Sequence, residues 1–172
     1  VQSTILKQLI PFLLGDGGLL SDIEDVKSFA FETVMKLINT NSKALKPFVT
    51  EMVIQMVSMM SSVEPQFINY IALNADNYNL KAKDIDSQRL GMIGTSPLMT
   101  AIEKLLGLLD NASISTFINE LKVCVKNAIG LPSKVAASKV IVDLIVRQLF
   151  LVKDHGDQLL KMASGQLKDR ND

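Results

Sequence analysis

The fold is decided by the stretch Leu131-Pro-Ser-Lys-Val-Ala-Ala-Ser-Lys-Val-Ile-Val-Asp-Leu-Ile-Val-Arg-Gln-Leu-Phe150. Pro132 suits a first helical turn, where its missing N–H is no loss, and Ser133 is placed to satisfy free N–H groups there. Val135, Ala136, Ala137, Val140, Ile141, Val142, Leu144, Ile145, Val146, Leu149 and Phe150 then cover most of a helical circumference. The charged residues Lys139, Asp143 and Arg147 interrupt them, four residues apart, as one narrow polar stripe. A helix apolar nearly all round is packed on several sides. The stretch therefore reads as the inner member of a layered stack.

A second copy lies at Val26-Lys-Ser-Phe-Ala-Phe-Glu-Thr-Val-Met-Lys-Leu-Ile38. Setting Lys27 on Lys134 puts Ala30 on Ala137, Val34 on Ile141, Leu37 on Leu144 and Ile38 on Ile145. The match continues past the helix, with Met52, Val53, Met56 and Met60 on Leu159, Leu160, Ala163 and Leu167. A weaker third copy sets Ala101, Leu105, Leu108 and Leu109 on Ala137, Ile141, Leu144 and Ile145. In each copy the small alanine lets a partner helix approach closely, and the larger residues fill the space beyond it. Repeated helix pairs of this size predict an all-α fold, an α-solenoid of HEAT or armadillo type.

The 172 residues are 48% apolar and 21% charged, enough to bury a core. A HEAT-type period divides them into roughly three and a half to four helix pairs. Lysine and arginine number 18 against 18 aspartates and glutamates. That balance argues against nonspecific nucleic-acid binding, which needs excess cation to displace counterions, and no nucleic-acid partner is expected. One cysteine cannot form an internal disulfide and fits a reducing compartment. No signal-peptide pattern opens the chain, and no apolar run reaches membrane-spanning length, so direct membrane insertion is not expected.

In chain order, a helix over about 2–14 carries Pro11 inside it, and Gly15-Asp-Gly-Gly18 is a turn. Ser21 or Asp22 can cap the first copy, which closes repeat one at residue 41. Repeat two spans 42–111: a helix over about 43–62, an irregular excursion over 63–94, then a helix from Ser96-Pro97 to Leu109-Asp110. Long insertions in solenoids emerge on one face and are frequently functional. Repeat three spans 112–152, with an outer helix over 113–129 before the deciding stretch. Residues 153–172 supply the first helix of a fourth repeat, so the chain is expected to be a piece of something longer.

Few residues suggest chemistry. His155, beside Asp154 and Asp157, is the one histidine, and a triad or metal site needs converging partners. Cys124 among Leu121, Val123 and Val125 reads as a buried inert thiol. Asp84-Ile-Asp86 lacks the mid-loop glycine and closing glutamate of a calcium loop. Gly91-Met-Ile-Gly94 has the spacing of an RNA-gripping loop but no basic residue between its glycines. The stripe Met52, Met56, Met59 and Met60 is core filler by its helical spacing. Asn111-Ala-Ser113 matches a glycosylation sequon by chance. No catalytic residue, metal ligand or cofactor is assigned.

The polar stripe stands out most. Lys139, Asp143 and Arg147 align with Glu103, Gly107 and Asn111 in the third copy, and with Glu32, Lys36 and Thr40 in the second. Stacked inner helices would set these side by side as a row of alternating sign on the concave surface. One reading is a solvated face held by i,i+4 pairs. The other is a protein-docking surface, with Glu103, Lys139, Asp143 and Arg147 as its candidate residues, joined by Tyr78 and Arg89 of the excursion.

Several stretches from Glu64 onward carry a family resemblance: Glu64-Pro-Gln-Phe-Ile-Asn-Tyr-Ile-Ala-Leu73, Asp86-Ser-Gln-Arg-Leu90, Ser96-Pro-Leu-Met-Thr100, Gly130 to Val142, and Leu167-Lys-Asp-Arg-Asn171. In this order they resemble the C-terminal half of the large HEAT-repeat proteasome adaptor and scaffold family. The resemblance implies a non-enzymatic protein of cytoplasm and nucleus. It would bind proteasome core and regulatory particle subunits, keep the particles together and act in quality control. The alternative from the fold alone is a generic peptide-gripping module of transport-receptor or phosphatase-scaffold type. Two departures from the common HEAT pattern stand in this chain. Gly130-Leu-Pro132 occupies a turn that usually carries aspartate, and Lys27 and Lys134 replace the usual arginine.

Overall fold

Ala30, Ala101 and Ala137 are all buried, at 2%, 0% and 0% exposure, so each aligned alanine lies on the buried side of its helix. The structure, a computed structural model, describes residues 2–40, 42–63 and 96–168. The expected excursion over 63–94, with Tyr78, Arg89 and Gly91-Met-Ile-Gly94, lies outside the described residues apart from Val63. The helices are α1 Gln2–Leu14, α2 Glu24–Thr40, α3 Val49–Met59, α4 Pro97–Leu106, α5 Ile114–Asn127, α6 Leu131–Arg147, α7 Leu149–Val152 and α8 Gly156–Lys168. No strand occurs among the described residues.

The helices form two layers. The sequence copies α2, α4 and α6 lie side by side in one; α1, α3, α5 and α8 follow one another in the other. The second layer roofs the first, with α3 on α4 and α6, and with α5 and α8 on α6. The methionine stripe is core: Met52, Met56, Met59 and Met60 are buried with Val53, Ile102, Leu105, Phe117 and Ile141. Flexible unbranched side chains fill the irregular space where α3 meets helices on both sides.

Local chemistry sets the ends. Ser21 rather than Asp22 steadies the entry to α2, accepting the Ile23 N–H at 3.2 Å. Ser96 caps α4 by accepting the Met99 N–H at 3.1 Å. Asp110 and Ser113 open α5 reciprocally: Oδ1 of Asp110 accepts the Ser113 N–H at 3.0 Å, and Ser113 Oγ accepts the Asp110 N–H at 3.0 Å. This is a capping box with serine in the returning position.

The single helix expected over 43–62 is three pieces: 3-10 turns over Ser42–Phe48, α3, and 3-10 turns over Met60–Val63. Pro47 is the cause. It has no N–H for a helical hydrogen bond and disfavours helical backbone at Lys46, so regular α geometry starts only beyond it. The deciding helix also stops short of Phe150. Gln148 leaves helical geometry at φ −131°, and its side-chain Nε2 donates to the carbonyl of Leu106 at the end of α4, which also accepts the Leu109 N–H at 3.2 Å.

The expectation that α6 is packed nearly all round is corrected. Ala136, Ala137, Val140, Ile141 and Leu144 are buried, but Val142, Ile145, Val146 and Leu149 form an exposed stripe, and Phe150 is 91% exposed. The extended alignment fails in the same way, because Val53 and Met60 are buried while Leu160 and Leu167 are exposed. The reason is neighbours. Among the described residues α3 lies between α1 and α5 in its layer, whereas α6 and α8 are the last members of the two layers.

One junction was not expected from sequence. Ser133, wholly buried, does not cap its own helix. Its Oγ donates to the carbonyl of Ser58 at 3.1 Å and accepts the Ser61 N–H at 3.2 Å, joining the start of α6 to the end of α3. Gly130, at φ +79°, makes the approach possible, since a Cβ there would meet Ser61 Oγ at 2.7 Å.

Candidate docking surface

The candidate residues Glu103, Asp143 and Arg147 are brought together. Arg147 projects from the last turn of α6, where a cation is favoured by the helix dipole. Its Nε pairs with Asp143 Oδ1 at 3.4 Å one turn earlier, and Nη2 reaches across to Glu103 Oε2 on α4 at 3.5 Å. Asp143 is the least exposed of the three. On the other side of α4, Lys104 Nζ donates to Asn39 Oδ1 of α2 at 2.5 Å. Polar side chains thus bridge α2 to α4 and α4 to α6.

The row differs from the one read by alignment. Glu103, set level with Lys139, meets Arg147 two turns further on, and Asn39 with Lys104 replaces the aligned Lys36 and Gly107. Helix α4 is ten residues long against seventeen for α2 and α6, so the register of contact is not the register of the repeat. Lys139 faces the other way, into a groove of about 500 Å³ between α6 and α8 that Asp143 also lines.

A cleft of about 540 Å³ adjoins the Glu103–Arg147 bridge. Leu106, Leu109 and Leu151 supply apolar wall, Phe150 stands at its rim, and Glu103, Asp143 and Arg147 give it one net negative charge. Gln148 lines it as well, and its Oε1 is buried with no partner among the described residues. Neither Phe150 nor Gln148 was singled out from sequence. Both sit just past a helix end that periodicity had carried through to residue 150.

The remaining reactive side chains have ordinary settings. Cys124 is buried, its thiol pushed up by desolvation, with Ser58 Oγ at 3.8 Å as a weak opposing contact. His155 lies between Ser115 Oγ and Gln158 Oε1, each at 3.3 Å. Among the described residues no group of three or more acidic, histidine or cysteine side chains could hold a metal ion. No described helix is long and apolar enough to cross a membrane.

Two layers of paired helices, keyed by buried alanines and tied edge to edge by polar side chains, define an α-solenoid of HEAT type. Residues 45–172 match the family model described as the HEAT-repeat domain of proteasome adapter and scaffold protein ECM29, and the chain belongs to that family. It is 41% identical over 168 residues to the proteasome component ECM29 of Saccharomyces cerevisiae, covering 98% of this chain and 9% of the relative. Proteasome component ecm29 of Schizosaccharomyces pombe is 28% identical over 167 residues, covering 97% of this chain and 10% of the relative. The human proteasome adapter and scaffold protein ECM29 is 28% identical over 163 residues, covering 95% and 9%. The chain therefore spans about a tenth of the length of these relatives. No solved structure matches it.

Proposed function

We propose that this chain is a segment of a non-enzymatic scaffold that binds the proteasome and keeps its core and regulatory particles associated, acting in cytoplasm and nucleus. Its membership of a family whose relatives are named as proteasome adapters and scaffolds supports this reading. The carrying observation is the Glu103–Arg147–Asp143 bridge between neighbouring repeat helices. Arg147 is 61% exposed at its side chain, so the pairs contribute little to stability and remain open to a partner. Charge arranged in this way sets specificity and encounter rate more than it sets affinity. A solenoid buries its core between neighbours, which leaves its length available as surface.

The test is double reversal, Asp143→Arg with Arg147→Glu, in the protein as it occurs in cells. The expected result is a fall of about tenfold in proteasome recovered with it, with melting lowered only by the roughly 1 kcal/mol or less that a glutamate set against Glu103 costs at this exposure. Full recovery of proteasome by the reversed protein removes this surface from the contact.

A further inference from the structure

The layer of α1, α3, α5 and α8 carries a different charge. A cleft of about 560 Å³ between α5 and α8 is lined by Lys122, Lys126 and Lys161, with Val125 and Met162 among its apolar residues and Gly165 beside them. No carboxylate is among its lining residues. All three lysines are exposed, in a chain whose formal charge is zero. Lys122 and Lys126 stand four apart on α5, one above the other on the same face. Like charges at that spacing weaken a helix. Lys161 on α8 adds a third cation from across the cleft, so packing places together what helix stability alone would keep apart.

Gly165 gives a second, independent indication. It lies inside α8, where glycine is less favourable than alanine. Close packing does not demand it, since nothing lies within 4 Å of where its Cβ would be. Its φ is not positive, so backbone geometry does not demand it either. What the missing side chain does provide is an open wall, on which another backbone can lie close. Gln166 is fixed at the same wall, its Nε2 donating to the Val125 carbonyl and its Oε1 accepting from Ser138 Oγ, each at 3.4 Å.

We infer that this cleft docks an extended acidic peptide segment of a partner protein, its carboxylates among the three lysines and an apolar side chain against Val125 and Met162. Peptide fits better than nucleic acid. The lining has no aromatic side chain on which a base could stack and no arginine to fork onto phosphate. The inference concerns a surface separate from the Glu103–Arg147 row and does not depend on which assembly supplies the peptide.

The experiment measures fluorescence anisotropy of a labelled peptide of alternating glutamate and leucine added to the chain. Its glutamine counterpart and a single-stranded oligothymidylate of equal length serve as comparison probes. The expected result is binding of the glutamate peptide alone, weakened about tenfold or more by the set Lys122→Gln, Lys126→Gln and Lys161→Gln. Gly165→Leu should weaken it as well, with every charge kept. The three lysines are exposed, so their variant folds and decides the matter even where Gly165→Leu lowers the melting temperature. Absence of peptide binding, or binding untouched by the lysine set, overturns the inference. Oligothymidylate binding at least as tight as the glutamate peptide overturns it in favour of a nucleic-acid groove.

Discussion

Lys46 and Asp110 form an ion pair although 64 positions separate them in the chain. Lys46 belongs to the tight turns that Pro47 imposes before α3, and Asp110 is the residue that opens α5. The bond therefore ties the entrance of one outer helix to the entrance of the next. The Lys46 and Ser113 hydrogen bonds hold the Asp110 carboxyl down, from 3.8 to about 2.

This pair makes part of the acid sensitivity assignable. A carboxyl with a lower pKa in the folded than in the unfolded chain stabilises the fold above the unfolded value, and that contribution is lost as pH falls toward the folded one. The window for Asp110 is therefore from about pH 4 down to about pH 2. Melting temperatures of wild type and Asp110→Asn, followed by circular dichroism across that window, should converge as pH falls. A constant gap between the two would mean that Asp110 contributes no proton linkage.

Ile141 and Ile145 are the same residue type one turn apart on α6, yet Ile141 is 2% exposed and Ile145 is 41% exposed. Ile141→Ala should cost about 2–5 kcal/mol, because it opens a cavity between the layers. Ile145→Ala should cost about 0.5 kcal/mol or less, as a surface change. Urea unfolding of the two variants reads the difference directly, and equal losses would place the inner face of α6 wrongly.

The serine junction is open to a double-mutant cycle. Ser133→Ala leaves the Ser61 N–H without its acceptor and should cost about 1–3 kcal/mol. Ser61→Ala should then matter less in the Ser133→Ala background than in wild type, since the two hydroxyls lie 2.7 Å apart. Gly130→Ala should lose at least about 1 kcal/mol from its left-handed backbone, besides the collision with Ser61. Additive effects of the two serine changes would show that the hydroxyls act independently.

How far the sequence was legible follows from what periodicity can carry. The spacing of Ala30, Ala101 and Ala137 reports which side of each helix is small and apolar, and that side is the buried one. It gives no information about how many neighbours a helix has. Val142 and Val146 therefore read as core like Val140, and are exposed. The single helix over 43–62 rests on the apolar spacing from Phe48 onward and leaves Pro47 out of account. Glu103, Asp143 and Arg147 were found because charge interrupting a greasy helix is conspicuous. Ser133 reads as a cap of its own helix and Gln148 goes unnoticed, because their partners, Ser58, Ser61 and Leu106, lie elsewhere in the chain and a small polar residue near a helix end has ordinary local explanations.

Exchanging the charges of Glu103 and Arg147 separates the two things their bridge could do. In Glu103→Arg with Arg147→Glu, the pair between α4 and α6 can re-form with opposite polarity, so melting should stay close to wild type. Either single reversal sets like charges together and should cost roughly 1 kcal/mol or less at this exposure. A partner meets a different surface, however: in the exchanged protein the arginine stands on α4, and Asp143 faces a glutamate one turn away. If the row docks a partner through complementary charge, the exchanged protein should keep its stability and lose proteasome recovery as severely as the single variants do. A bridge serving only to hold the helices together gives the opposite result, with stability and recovery restored in parallel. Recovery that tracks melting through all three variants would therefore reassign Arg147 from docking to helix packing.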